Sequence, residues 1–304
     1  MTESDPPSGT YSDASHDSGD GSPAGPDHAG DHPLLHHPDW LEVLNRHCDL
    51  NAAAFALRFA GKTEWPVREI AEQLHCYPRA EAKLGPLHQP GLIYLREALE
   101  QASGYAAARW RASVWASALA GKKEAGKPGA DSDSMARPDP DREPDPDSSS
   151  DSTARPWLTD LTGGLGIDAA AFARAGFQVS YCERNATLCA IARHNHRLLG
   201  LESHMDWHTG DGLAWLEARV HETKSVPELV YLDPARRRQG RRVMSLDQSE
   251  PAISSLSEWL RSIAKRWLIK LSPMSDPYEV ARVLPDCTSI TAVSVEGELK
   301  ELLA

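Results

Sequence analysis

The sequence predicts a doubly wound, largely parallel α/β sheet preceded by an all-helical module, and three observations carry that expectation. Short apolar runs at 157–161, 177–182, 205–209, 228–232, 266–271 and 288–295 alternate with stretches of helical periodicity at 168–176, 185–200 and 252–264. That rhythm is the signature of a parallel sheet. The first run leads into a glycine-rich turn, Asp160-Leu-Thr-Gly-Gly-Leu-Gly-Ile-Asp168, and then into a helix. Upstream, over 39–120, the apolar residues recur at helical spacing instead.

Within the helical module, Trp40, Leu41 and Leu44 fall at i, i+1, i+4, and Phe55, Leu57 and Phe59 follow. Val67, Ile70, Ala71 and Leu74 then fall at i, i+3, i+4, i+7. Gly61 and Pro66 mark a helix stop and start. Pro78, Gly85, Pro86, Pro90 and Gly91 predict a turn-rich break, after which Leu92 to Leu119 reads as one or two helices ending at Gly121. The chain ends at Glu-Leu-Leu-Ala, inside what reads as a strand beginning near Glu298. The sheet is therefore expected to be truncated at its last strand, or to have an unusually short one.

The chain has 304 residues, 40% of them hydrophobic and 25% charged, and its net charge of −12 is unevenly spread. Residues 1–36 carry seven acids and no Lys or Arg, and residues 121–155 carry nine acids against six bases, which leaves only −2 for the rest. Both stretches are rich in Gly, Pro, Ser and Asp and poor in aliphatic residues, so they bury too little apolar area to offset the entropy of ordering. The organisation expected is a disordered acidic tail at 1–36, a helical domain at 37–120, a disordered acidic linker at 121–155 and an α/β domain at 156–304. There is no apolar run long enough to span a membrane and no basic start with an apolar secretory segment, which predicts a cytosolic protein. Five cysteines without a CxxC pair argue against a disulfide framework and a zinc ribbon.

The candidate site lies at the carboxyl ends of the first four strands. Gly163, Gly164 and Gly166 fall in the first β–α turn, where glycine lets the backbone approach a ligand and leaves helix N–H groups free. Glu183 ends the second strand, Asp211 follows the third between two glycines, and Asp233 ends the fourth in Leu-Asp-Pro-Ala-Arg-Arg237. Acids at Asp160 and Asp168 on both sides of the glycines suit a cationic or hydroxyl-bearing ligand better than a pyrophosphate. S-adenosylmethionine, with a sulfonium, an amino group and no phosphate, therefore matches better than a dinucleotide.

These residues resemble the class I methyltransferases that carry a THUMP-like domain, through DLTGGLGID, LDPARR and KLSPM at Lys270–Met274. The resemblance extends to the helical module through Lys83-Leu-Gly-Pro, Glu100-Gln-Ala-Ser103 and Ala108-Arg-Trp-Arg-Ala112. It covers 39–120 and 156–304, with 121–155 resembling an insertion and the family's C-terminal THUMP-like portion missing. It implies a Rossmann-like methyltransferase sheet in which Asp160, Thr162, Gly163, Gly164, Gly166 and Asp168 form the S-adenosylmethionine loop. It further implies that Glu183 holds the ribose, Asp211 meets the adenine edge, and Asp233 with Pro234 borders the transferring methyl as the catalytic pair. RNA, as an rRNA or tRNA base, is the implied substrate, with Arg236, Arg237, Lys270 and Ser272 as its contacts.

Related amino methyltransferases hold a flipped base with D-P-P-Y, whereas here Ala235 and Arg236 replace the second proline and the ring. RNA uridine-5 methyltransferases need a cysteine before a proline after the next strand, where this chain has Leu271. A thiolate mechanism is therefore not expected, and Cys287 reads as an inert thiol. Arg236, Arg237, Arg238, Arg241 and Arg242 crowd one loop and suit phosphate, or form a solvated loop paired with Asp247 and Glu250. Trp110 and Trp115 beside Arg109 and Arg111 read either as core or as a stacking surface for single-stranded RNA. His194, His196, His204 and His208 lack metal-site spacing, so no metal is expected, and His32, His36 and His37 read as part of the tail. Two rival readings remain: a non-catalytic remnant binding S-adenosylmethionine or RNA, left by a truncated sheet and a missing THUMP-like segment, and an NAD-dependent oxidoreductase.

Overall fold

The computed structural model describes residues 30–124, 155–234, 237–238, 241–242, 249 and 251–304. The expected disordered tail and linker lie largely outside these residues. Residues 30–36, expected to belong to the tail, carry a first short helix, α1 (Pro33–His36), that buries Leu34 and is capped by the His32 ring.

The helical module continues with α2 (Trp40–Arg46), α3 (Ala52–Phe59), α4 (Val67–Leu84), α5 (Arg96–Gln101) and α6 (Tyr105–Glu124). Asn51 caps α3 by accepting from the Ala54 amide at 2.9 Å, satisfying one of the amides a helix start leaves free. The break expected at Pro78 does not occur there. Pro78 lies on the exposed face of α4, and the helix runs on to Leu84 before Gly85, at φ +48°, ends it. On an exposed face, water can serve the carbonyl that proline leaves without a donor.

The α/β part runs β1 (Trp157–Asp160), α7 (Ile167–Arg174), β2 (Gln178–Glu183), α8 (Ala186–Leu198), β3 (Met205–Thr209), α9 (Gly212–Thr223) and β4 (Leu229–Leu232). A two-stranded ribbon, β5 (Arg237–Arg238) with β6 (Arg241–Arg242), follows, then α10 (Ser257–Ile263), β7 (Trp267–Leu271), α11 (Pro277–Val283), β8 (Thr291–Val295) and β9 (Glu298–Leu303). The main sheet has seven strands in the order β3-β2-β1-β4-β7-β9-β8. β1, β2, β3, β4 and β7 are parallel, while β9 runs antiparallel between β7 and β8.

The expected truncation of the last strand is therefore corrected. Glu296 and Gly297, at φ +52° and +80°, make a two-residue turn of the kind that matches strand twist, and β9 folds back to pair on both edges. A glutamate in the first of these positions is an unusual turn residue, which hid the hairpin in the sequence.

One apolar core joins the two parts, running from Leu34, Trp40 and Phe55 through Ile93 and Ala112 to Phe172, Leu229 and Leu303. Alanines 169–171 and 173 of α7 are buried, small enough for α6 to pack closely over them. Phe172 and Phe177 meet edge to face beneath, each worth roughly 1.5–3 kcal/mol of apolar burial. The Asn195 side chain both accepts from the Ile93 amide and donates to its carbonyl, at 2.8 Å each, pinning α8 to the helical module. No helix among the described residues is long and apolar enough to cross a membrane.

Candidate active site

β1 and β4 are neighbours, yet the chain leaves β1 toward β2 and β3 on one side and leaves β4 toward β7 on the other. Open α/β sheets form a crevice at such a reversal, outside the carboxyl ends of the strands. Asp160 is the last residue of β1 and Glu183 the last of β2, while Asp211 lies two residues beyond β3 and Asp233 one beyond β4. The parallel register brings all four to one edge.

The glycine loop is tied down on every side. Asp160 Oδ1 accepts from the Thr162 amide at 3.0 Å, and the Gly163 amide donates to the Cys182 carbonyl at 2.9 Å. The Gly164 amide donates to Glu183 Oε2 at 2.9 Å, and the Tyr181 hydroxyl donates to the Gly164 carbonyl at 2.5 Å. Thr162 Oγ1 accepts from the Asp233 amide at 2.6 Å, bridging the crevice.

The three glycines serve different ends. A Cβ on Gly163 would overlap the Tyr181 ring, and one on Gly166, at φ +77°, would overlap the His196 ring. These two let the loop settle on the protein's own side chains. Gly164, at φ +55°, would meet nothing nearer than the Thr162 carbonyl at 3.8 Å, so it is the glycine with open space for a ligand.

Asp160 is 1% exposed and its Oδ2 has no hydrogen-bond partner. Burial, reinforced by Asp168, Asp233 and Glu183 nearby, holds its carboxyl well above the usual carboxylate range. Such an orphaned oxygen is costly unless a donor arrives.

Asp168 is engaged elsewhere. Its Oδ1 is ion-paired with Arg111 and its Oδ2 accepts from Ser103 Oγ at 2.8 Å. Burial alone would raise its carboxyl, but the Arg111 guanidinium overrides that and holds it below the usual range. Arg111, from α6, is fully buried, pairs also with Glu301 of β9, and lies over the Tyr231 ring at 5.8 Å. Burial holds the Glu301 carboxyl above its usual value, with Arg111 offsetting only part of this. The possibility of an RNA-stacking surface at Arg111 is thereby corrected, since its charge is spent inside, and Trp110 and Trp115 pack against the core.

Lys270, at the end of β7, donates to Asp233 Oδ2 at 2.5 Å and to Ser103 Oγ at 2.9 Å. Glu183 accepts from two amides, those of Gly164 and Asn185, and Asp211 caps α9 while pairing with Arg184 at 2.9 Å. Pro234 is buried beside Asp233, and Ser272 Oγ accepts from the Met274 amide at 3.2 Å in a tight turn. Arg236 lies outside the described residues, and of Arg237 the structure gives the backbone in β5.

Ser103, Arg111 and Glu301 were missed as site residues. Ala108, Arg111, Ala112 and Trp115 fall at i, i+3, i+4, i+7, which puts Arg111 on the buried stripe of α6 and was the signal available.

Cys287 sits between α11 and β8, at the amino edge opposite the crevice, and donates to the Ser289 carbonyl at 3.0 Å. Burial pushes the Cys182 and Cys189 thiols up. A cavity of about 230 Å³ lies in the helical module, among His75, Arg79, Lys83, Arg96, Leu99 and Glu100. Lys83 there donates to the Leu99 and Glu100 carbonyls, and burial pushes its amine down to about 8.

Neither a family model nor a curated protein matches this sequence. Among solved structures, an inferred methyltransferase from Porphyromonas gingivalis W83 is 26% identical over 89% of this chain, with a TM-score of 0.57. The chain spans 56% of that protein's length. A SAM-dependent methyltransferase from Agrobacterium tumefaciens is 17% identical over 50% of this chain and 55% of its own, with a TM-score of 0.36. The seven-stranded sheet and the likeness to the P. gingivalis structure place the fold with the Rossmann-like methyltransferases.

Proposed function

We propose that this chain is an S-adenosylmethionine-dependent methyltransferase acting on RNA, on a base of rRNA or tRNA, without a cysteine nucleophile. The observations that carry the reading are the orphaned Asp160 Oδ2, at the end of β1, and the open space at Gly164, in the loop that follows β1 where the strand order reverses. A cationic or N–H-bearing ligand relieves that oxygen, whereas a pyrophosphate would meet a ring of acids. The NAD reading therefore loses to one in which the ligand carries an ammonium and a sulfonium. The likeness to the P. gingivalis protein, described as a methyltransferase, points the same way.

In this reading Asp160, Thr162, Gly163, Gly164 and Gly166 hold the cofactor's amino-acid end, Glu183 the ribose and the Asp211 turn the adenine. Asp168 supports the loop from beneath. S-adenosylmethionine, when bound, supplies an electrophilic methyl group on a sulfonium. The chain's own work is to exclude water and place the nucleophile, since such a displacement needs little covalent help. Asp233, with Pro234 stiffening the backbone after it, accepts a hydrogen bond from the incoming amine or hydroxyl. The remnant reading rested on a truncated sheet and on the missing THUMP-like segment, and β9 removes the first of these grounds.

The RNA assignment draws on the rim. The arginine ribbon β5–β6 follows β4, and the Ser272–Pro277 turn follows the adjacent β7. Met274 on that turn is 73% exposed and Tyr278, in the first turn of α11, is 86% exposed, a hydrophobic and aromatic pair following the β7 strand end. Arginines suit phosphate and an exposed ring suits base stacking. For the thiol, Leu271 is buried where a nucleophilic cysteine would stand, and Cys287 is on the far edge.

The test is transfer of radiolabelled methyl from S-adenosylmethionine to unmodified rRNA and tRNA. Incorporation lost in Asp233→Asn and reduced about tenfold in Tyr278→Ala supports the proposal. Incorporation into protein or small hydroxylated acceptors but not RNA would sink the RNA assignment alone.

A further inference from the structure

The helical module reaches the methyl-transfer edge through one hydroxyl. Ser103, in the connection between α5 and α6, donates to Asp168 Oδ2 at 2.8 Å and accepts from Arg111 at 2.8 Å and from Lys270 at 2.9 Å. A hydroxyl has one proton and two lone pairs, so every capacity of Ser103 is used and its rotor is set. Lys270 is 5% exposed, and its amine spans from Ser103 to Asp233 Oδ2. The Asp233 side chain keeps 24% exposure toward solvent.

We propose that Lys270, oriented by Ser103, is a positioning residue for Asp233, so that the helical module is a working part of the active site rather than a cover over the sheet. The amine is too enclosed to reach out to substrate. It takes one oxygen of Asp233, which aims the carboxylate. Its positive charge also opposes the carboxylate's attraction for a sulfonium, so the bound ground state is not held too tightly. The assignment rests on the S-adenosylmethionine reading.

The test needs no methyl acceptor. S-adenosylmethionine carries the sulfonium charge and S-adenosylhomocysteine does not, so the ratio of their dissociation constants reports the field at the transfer edge. Calorimetric titration of both into the full chain should show Lys270→Met shifting the ratio at least about threefold toward S-adenosylmethionine. Lys270→Arg, which keeps the charge, should leave the ratio as in the wild type. Ser103→Ala should shift it in the same direction by less. A Lys270→Met variant that weakens both ligands equally has lost structure only, and overturns the proposal. Should that variant not fold, Ser103→Ala decides, and an unchanged ratio there overturns the helical module's part. If the wild-type chain binds neither ligand, the cofactor reading itself fails, and this inference with it.

Discussion

The Asp233 amide donates to Thr162 Oγ1 at 2.6 Å, joining the glycine loop after β1 to the end of β4 across the crevice. Thr162→Val keeps the shape but removes the acceptor, leaving a half-buried amide without its partner. Urea unfolding should show a loss of about 1–3 kcal/mol, with weaker S-adenosylhomocysteine binding. Unchanged stability and affinity would mean that water replaces the contact.

Arg111 holds two buried carboxylates, Asp168 and Glu301, from α6. Arg111→Met strands both, and chemical denaturation should register a loss of about 3–5 kcal/mol. A variant as stable as the wild type would show that the two acids are neutralised by protonation instead.

Asp160 should trade stability against binding. Its carboxyl is raised in the fold, so the folded state holds a proton that the unfolded chain has released. Its contribution is fully present below the ordinary carboxylate range and is lost as pH rises through the folded value. Asp160→Asn should therefore make the ligand-free protein more stable near pH 8, by at least about 1 kcal/mol, while weakening S-adenosylmethionine. A melting temperature that falls instead would place a partner on Oδ2.

His196 lies beneath Gly166, fully buried, and burial pushes its imidazole down to about 4 from an ordinary 6.5. The unfolded chain then takes up a proton that the folded one refuses. Stability should fall as pH drops from about 6.5 toward 4, by up to about 3 kcal/mol, and His196→Gln should flatten that limb. An identical pH profile in the variant would assign the limb to other groups.

The sequence and the structure agree where local pattern decides. Alternating apolar runs located six strands, and the acids at Asp160, Glu183, Asp211 and Asp233 were legible because parallel strands end on one edge. What stayed hidden depends on contacts far apart in the chain. Ser103, Arg111 and Glu301 meet only once α6 packs on α7 and β9 folds back. Asp168 was expected to touch the cofactor because it closes the glycine motif, yet α6 claims it. Gly163 and Gly166 looked alike with Gly164, and only the Tyr181 and His196 rings separate their roles.

The most direct measurement is calorimetric titration of S-adenosylhomocysteine into the chain, with Glu183→Gln and Asp160→Asn alongside. The expected Kd is on the order of a micromolar, weakened at least about tenfold by each substitution, or ~1.4 kcal/mol. A folded wild-type chain that takes up no S-adenosylhomocysteine, or variants that bind it as tightly as the wild type, would contradict it.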